Sequence, residues 1–179
     1  MILRKRYDIA YTFTYFYSGG VKCLLYTVLI LLLGACAKGG KVVYVEYIDI
    51  PPGGWNQFEY CGFNTANSDS TIFNNPDERY DICLSIRHTG ECPYNTLVFP
   101  TVESADSCTA LPDTIYMHLK DVAGKWRGNY SKGLYMITDT IVKHVALPPL
   151  YSLHLYHAMP GNNLTGLLSV GLIILSSDK

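Results

Sequence analysis

Residues 80–87, Tyr-Asp-Ile-Cys-Leu-Ser-Ile-Arg, alternate without a fault. Tyr80, Ile82, Leu84 and Ile86 occupy one phase; Asp81, Cys83, Ser85 and Arg87 occupy the other. A period of two puts successive side chains on opposite faces, so the stretch is predicted to be a half-buried strand. The pattern returns at Thr114–Lys120, with Ile115, Met117 and Leu119 inward, and at Tyr151–Met159, with Tyr151, Leu153 and Leu155 on one phase. Val42–Ile50, Thr96–Val102, Leu134–Val145 and Leu168–Leu175 are rich in β-branched and aromatic residues and read as strands; Gln57–Phe63 is a shorter candidate. Pro100 is predicted to mark an edge or a bulge, and Leu134–Val145 to break near Asp139. Turn chemistry separates the strands at Pro51–Gly54, His88–Asn95, Asp121–Asn129, Pro148-Pro149 and Pro160–Asn163, and Asn64–Arg79 is a long polar loop. Only Asn163–Leu168 reads as a helical turn. About eight short strands between turn signals predict a mainly β chain, an antiparallel two-sheet sandwich of jelly-roll type.

Upstream of the strands lies a different grammar. Lys22 precedes an apolar run from Cys23 to Leu33, which ends in Leu33-Gly34-Ala35-Cys36. A charge, a short apolar core and small residues make a secretory signal, and the run is too short to span about 30 Å of hydrocarbon as a helix. Its last four residues resemble a lipobox, in which the signal is cut before a cysteine whose thiol carries a diacylglyceryl group. Cys36 is the predicted lipidation site, and two or three acyl chains there would hold the protein to a membrane where a single chain anchors only marginally. Residues 1–20 do not fit such a signal, because Ile9–Tyr17 is an aromatic run. The expected start is therefore Val21, read as Met from a valine-type codon, which N-terminal sequencing of the precursor would test. Residues 1–35 are read as extension plus signal, 36–41 as lipidated cysteine and short linker, and 42–179 as the domain, close to the membrane.

The formal charge of the chain is −1. The part before Cys36 carries Arg4, Lys5, Arg6, Lys22 and Asp8, so the mature part stands near −4. With Lys and Arg scattered and no basic stripe, nucleic acid is not an expected partner. Cys61, Cys83, Cys92 and Cys108 are an even set in an exported chain and permit two disulfides in three connectivities. None has C-x-x-C spacing, which argues against zinc. His154 and His157 are three apart, a metal spacing on a helix, but on a strand they face opposite ways. No G-x-S-x-G elbow and no phosphate-binding glycine loop is present. The sequence names no reaction, and the expected role is non-catalytic, with no cofactor beyond the lipid on Cys36. Two tryptophans in turns offer surface chemistry: Trp126 with Arg127 between glycines, and Trp55 after Pro-Pro-Gly-Gly. Each pairs an aromatic plate with a turn, either as a contact for a protein or glycan or as a plug for one end of the sandwich.

Five phrases in order carry a resemblance: Tyr44–Trp55 (YVEYIDIPPGGW), Ile86–Leu97 (IRHTGECPYNTL), Gly124–Gly128 (GKWRG), Tyr151–Met159 (YSLHLYHAM) and Leu164–Ile174 (LTGLLSVGLII). Together with the lipobox they resemble the gliding-motility lipoprotein H (GldH) family of the Bacteroidetes over nearly the whole mature chain. The long loop at Asn64–Arg79, Pro160 after Met159 and Ser169 before Val170 depart from that pattern. The resemblance implies a periplasm-facing lipoprotein needed for gliding and linked to type IX secretion, with other envelope proteins as partners. Ala37-Lys38-Gly39-Gly40-Lys41 lacks the acidic run that resembles a surface-export signal in this group, which favours the periplasmic leaflet of the outer membrane. Asp69-Ser70-Thr71 resembles the O-glycan acceptor of the same group, as do Asp113-Thr114-Ile115 and Asp139-Thr140-Ile141; the loop triplet is the most accessible, with Ser70 the acceptor. The competing expectation is a glycan- or peptidoglycan-binding periplasmic module, drawn from fold analogy alone.

Overall fold

The computed structural model describes residues 40–67, 73, 75, 77–103 and 111–177. Cys36, Ser70 and Cys108 lie outside the described residues. The chain divides into two compact units, Met1–Gly39 and Gly40–Lys179, and the description below concerns the second.

Eleven strands follow one another: β1 (Val42–Asp49), β2 (Trp55–Asn56), β3 (Cys61–Asn64), β4 (Tyr80–Thr89), β5 (Thr96–Glu103), β6 (Thr114–His118), β7 (Asn129–Ser131), β8 (Leu134–Val145), β9 (Ser152–Leu155), β10 (Asn163–Leu164) and β11 (Leu167–Ser176). One sheet runs β1-β11-β4-β8-β7, a second β3-β9-β5-β6, and β10 pairs with β2. Every pairing is antiparallel. The count is eleven rather than about eight because β2, β7 and β10 are only two or three residues long. Without those three, the strands stand first-eighth-third-sixth in one sheet and second-seventh-fourth-fifth in the other. That order is the jelly roll.

The inner phases meet as alternation requires. Ile82, Ile86, Val170 and Ile174 from the first sheet and Leu97, Phe99, Met117 and Leu155 from the second are all 0 % exposed. Each such burial stabilises the fold by about 1.5–3 kcal/mol relative to exposure. The other phase of β4 differs from expectation: Cys83 and Ser85 are buried too. The Tyr47 ring lies flat over Gly171, where a Cβ would stand 2.4 Å from it. Tyr47 donates to Ser85 Oγ at 3.2 Å, and Thr138 donates to the same oxygen at 3.0 Å. The Arg87 guanidinium caps the Tyr47 ring at 4.0 Å. The centre of this sheet is thus covered on both faces by its own side chains.

Other boundaries moved for identifiable reasons. Pro100 sits in β5, an interior strand. Its carbonyl accepts from Tyr156 N at 3.0 Å, and its missing N–H falls just past the end of β9, so one ladder bond is lost. β8 does not break near Asp139 but runs unbroken from Leu134 to Val145; its register against β4 slips instead, at Ile141 between the Ile82–Val142 and Cys83–Thr140 pairs and again between the Tyr80–Val145 and Ile82–Val142 pairs. Asn163–Leu168 is not a helical turn: Asn163-Leu164 is β10, Thr165 and Gly166 (φ 83°) turn the chain, and β11 starts at Leu167; the described helical turn is a 3-10 segment at Thr65–Asn67.

The strand directions give the sandwich two ends. At one, β1 starts and β11 finishes: Lys41 N donates to Ser176 Oγ at 3.1 Å and Ser176 N to Lys41 O at 2.8 Å. At the other lie the loops after β1, β4, β6 and β9. These four are stitched together: Gln57 N donates to Asn162 O at 2.8 Å, Tyr94 Oη to Pro160 O at 2.7 Å, Thr89 N to Gly166 O at 3.1 Å, and Leu119 N to Asn95 O at 2.8 Å.

Candidate binding groove

The segment between β6 and β8 changes sheets, and its residues explain how. Asp121 Oδ1 accepts from the N–H of both Ala123 and Lys125 at 2.9 Å and closes the turn. Lys120 then bridges Trp126, and Arg127 N donates to Leu119 O at 2.8 Å, so the returning chain first pairs with the extension of β6. One residue later Gly128, at φ 84°, turns it onto the first sheet, where Asn129 pairs with Met136. A Cβ on Gly128 would stand 2.2 Å from Met136 O, so only glycine fits.

Arg127 pins this crossing. Its guanidinium grips Asp139 of β8 in a two-pronged pair, Nη2–Oδ1 2.8 Å and Nη1–Oδ2 3.0 Å, and Nη1 donates to the His118 carbonyl of β6 at 2.7 Å. The pair is about one-third exposed. The hydrogen bond that Arg127 donates to Asp139 holds the Arg127 pKa above its ordinary value. The cation expected to face a partner is therefore largely committed within the fold.

Trp126 is half-buried rather than free. Its ring lies 4.8 Å from the His88 ring and 5.8 Å from Tyr135, with Lys120 Nζ 4.2 Å above it. His88 is 0 % exposed, stacks on Tyr135 at 5.3 Å, and bonds Thr89 O through Nδ1 at 2.7 Å. Its Nε2 is buried without a partner among the described residues, and burial lowers its pKa. Trp55 does not present a plate at all. It is 2 % exposed, stacked on Phe99 at 5.6 Å, with Nε1 donating to Glu59 O at 3.0 Å. Its carbonyl meets His157 Nε2 at 2.8 Å. The tryptophan after Pro-Pro-Gly-Gly is a plug, because β2 pairs with β10 and draws the turn into the core.

Cys61, Cys83 and Cys92 are free and buried, so no bridge joins any two of them. They lie in β3, in the covered face of β4 and in the β4–β5 turn; Cys83 Sγ instead faces Thr140 Oγ1 at 3.4 Å. Among the described residues no group of three His, Cys, Asp or Glu gathers as a metal set. His154 and His157 face opposite ways as expected: His154 lies on the outer face against Tyr60 at 4.2 Å and His157 in the core.

What the crossing leaves open is a groove of about 980 Å³ between β6 and β8, lined by Ile115, Tyr116, His118, Arg127, Asp139 and Ile141 among others. Thr96 Oγ1 and His118 Nδ1 meet at 2.9 Å beside it, and Lys120 and Asp121 stand at one end. Arg127 was legible in the sequence; its pairing with Asp139 was not. The available signal was a carboxylate on the apolar phase of β8 between Ile137 and Ile141, where a charge needs a counter-charge.

A family model described as GldH lipoprotein matches residues 42–174. Neither a curated protein nor a solved structure matches the chain. The family match runs from the first residue of β1 to two residues short of the end of β11, well over half the chain, and the chain belongs to the GldH lipoprotein family.

Proposed function

We propose that this lipoprotein of the gliding-motility type works without catalysis, as an accessory component of the gliding or type IX secretion machinery. Cys36 carries its lipid, in the periplasmic leaflet of the outer membrane. The observation that carries this reading is the family match over essentially the whole sandwich. Support also comes from the architecture. The linker of residues 36–41 joins β1 at the Lys41 end, which favours a domain standing with that end toward the lipid. The four stitched loops then form a rigid surface at the far end, suited to binding with little ordering cost.

The test is an in-frame deletion in the native host. The expected result is loss of spreading or of delivery of secreted proteins to the cell surface. The wild-type chain restores it and Cys36→Ala does not. A deletion strain unimpaired in both contradicts the reading.

A second reading, glycan binding, has one observation in its favour. The outer face of the β3-β9-β5-β6 sheet carries Gly62, Asn64, Ser152, His154, Thr96, Val98, Pro100, Val102, Thr114, Tyr116 and His118, with no acidic side chain, Lys or Arg. Tyr60 lies across it with its ring 4.2 Å from His154, tilted by 30°, and 5.8 Å from Tyr156. Neutral aromatic faces suit sugar rings. Pull-down of the protein on insoluble peptidoglycan is expected to succeed under this reading alone.

A further inference from the structure

We infer that β6 is a docking edge, to which an extended segment of a partner protein adds as one more strand, lying in the groove toward β8. The inference rests on the accessory reading and gives it a surface.

The backbone phase of β6 is fixed by its neighbours. Thr101 N donates to Asp113 O at 3.0 Å, so the pair 101–113 lies on the hydrogen-bonded phase of the ladder. In an antiparallel ladder such pairs alternate. Phe99–Ile115 and Leu97–Met117 therefore bond to each other, while the backbone groups of Thr114, Tyr116 and His118 point away from β5. Two observations agree. Pro100, opposite Thr114, has no N–H to give and turns its carbonyl to Tyr156; and the His118 carbonyl faces the groove, where Arg127 reaches it. β6 is the terminal strand of its sheet, so among the described residues no strand meets Thr114 or Tyr116 on that side.

Exposed strand edges attract other chains, and folds ordinarily blunt them with charges, bulges, brevity or proline. The other edges here are blunted. β1 carries a register shift near Val42 together with Glu46 and Asp49, β7 is three residues long, and β3 is four residues long with Gly62 inside it. β6 is Thr-Ile-Tyr-Met-His, uncharged, regular in register, and rich in residues that favour strands. Tyr116 is 64 % exposed. The opposite wall is also unpaired among the described residues: β7 covers β8 only from Leu134 to Met136, so Ile137 to Val145 has no described strand on that side. The space between them is about 980 Å³. Its charges cancel, Arg127 against Asp139 and Lys120 beside Asp121, so the strand that fits is uncharged where it passes between the walls. Main-chain bonds to the edge supply affinity and alternate side chains supply selectivity.

The test uses the full-length chain in native envelopes, with a photocrosslinking phenylalanine in place of Tyr116. Fragment mass spectrometry identifies the joined segment, and its synthetic peptide is the probe. The expected result is one extended segment of another polypeptide, whose peptide slows amide exchange at Thr114 and Tyr116 by about tenfold, the weight of roughly one main-chain bond. Thr114→Pro and Tyr116→Pro remove an outward N–H without touching the β5 ladder, which edge strands tolerate. Each is expected to weaken the peptide by about tenfold or more, while Tyr116→Thr, which keeps the N–H, stays within about threefold. Thermal melting checks that all three fold. Proline variants that fold and bind as wild type overturn the inference, as do adducts on a glycan or on a second copy of this chain. If the edge fails while the deletion phenotype stands, the accessory reading survives without this surface; if the deletion is silent as well, both fall.

Discussion

Arg127 is the residue on which the two sheets are joined across the groove. Its planar fork meets both oxygens of Asp139 while one nitrogen also holds the His118 carbonyl, a geometry lysine cannot copy. Because the pair is about one-third exposed, water screens it, and Arg127→Ala is expected to cost about 1–2 kcal/mol rather than the larger figure of a buried pair. Arg127→Lys should recover less than half of that loss in urea denaturation. Trp55→Ala, by contrast, opens a cavity against Phe99 and should cost about 3–5 kcal/mol. Histidine sets the pH response. Burial holds both His88 and His157 below the ordinary 6.5. His157 uses both nitrogens while neutral, toward Trp55 O and from Met159 N, so a second ring proton would displace the Met159 bond. The unfolded chain therefore takes up protons first. Stability is full above about pH 6.5 and falls as pH drops through that value toward the depressed folded pKa values. Urea midpoints on either side of pH 6.5 check this, and His157→Gln should flatten the slope.

At the scale of elements, the segment from Leu119 to Asn129 does most to give the sandwich its open side. It pairs with one sheet, turns at Gly128, and pairs with the other. Gly128→Ala meets both a left-handed backbone and the Met136 carbonyl, and is expected to cost about 3 kcal/mol or more, read as a lowered melting temperature. The strands themselves were legible because a period of two has one cause, a face buried and a face not. Residues 80–87 and 114–119 announced their inner faces correctly for that reason. The outer face of β4 was not legible, since nothing local says that Tyr47, 38 positions away from Ser85, will cover it. Nor were the tryptophans: an aromatic in a glycine-rich turn has the same local sequence whether the turn folds inward, as at Trp55, or rests half-covered, as at Trp126. Their fate depends on long-range pairings, β2 with β10 and Lys120 with Trp126. The Asp139 partner of Arg127 was hidden for the same reason, although its place on an apolar phase was the clue.

Within residues 40–177, the jelly roll sends its β1–β3, β4–β5, β6–β8 and β9–β11 connections to one end and the start of β1, beside Lys41, to the other. With lipid on Cys36, as proposed, a membrane component should hold the Lys41 end while the stitched loops and the β6 edge stay free for a partner. Cys36→Ala is expected to move the protein from the membrane to the soluble periplasmic fraction without changing its melting behaviour, as fractionation and thermal denaturation would show. The most direct measurement of all is affinity purification of the native lipidated chain from gently solubilised envelopes, with the recovered proteins identified by mass spectrometry. Enrichment of motility or secretion components beside the wild-type chain is the expected result. Repeated recovery of the chain alone, or with peptidoglycan fragments in place of proteins, would contradict it.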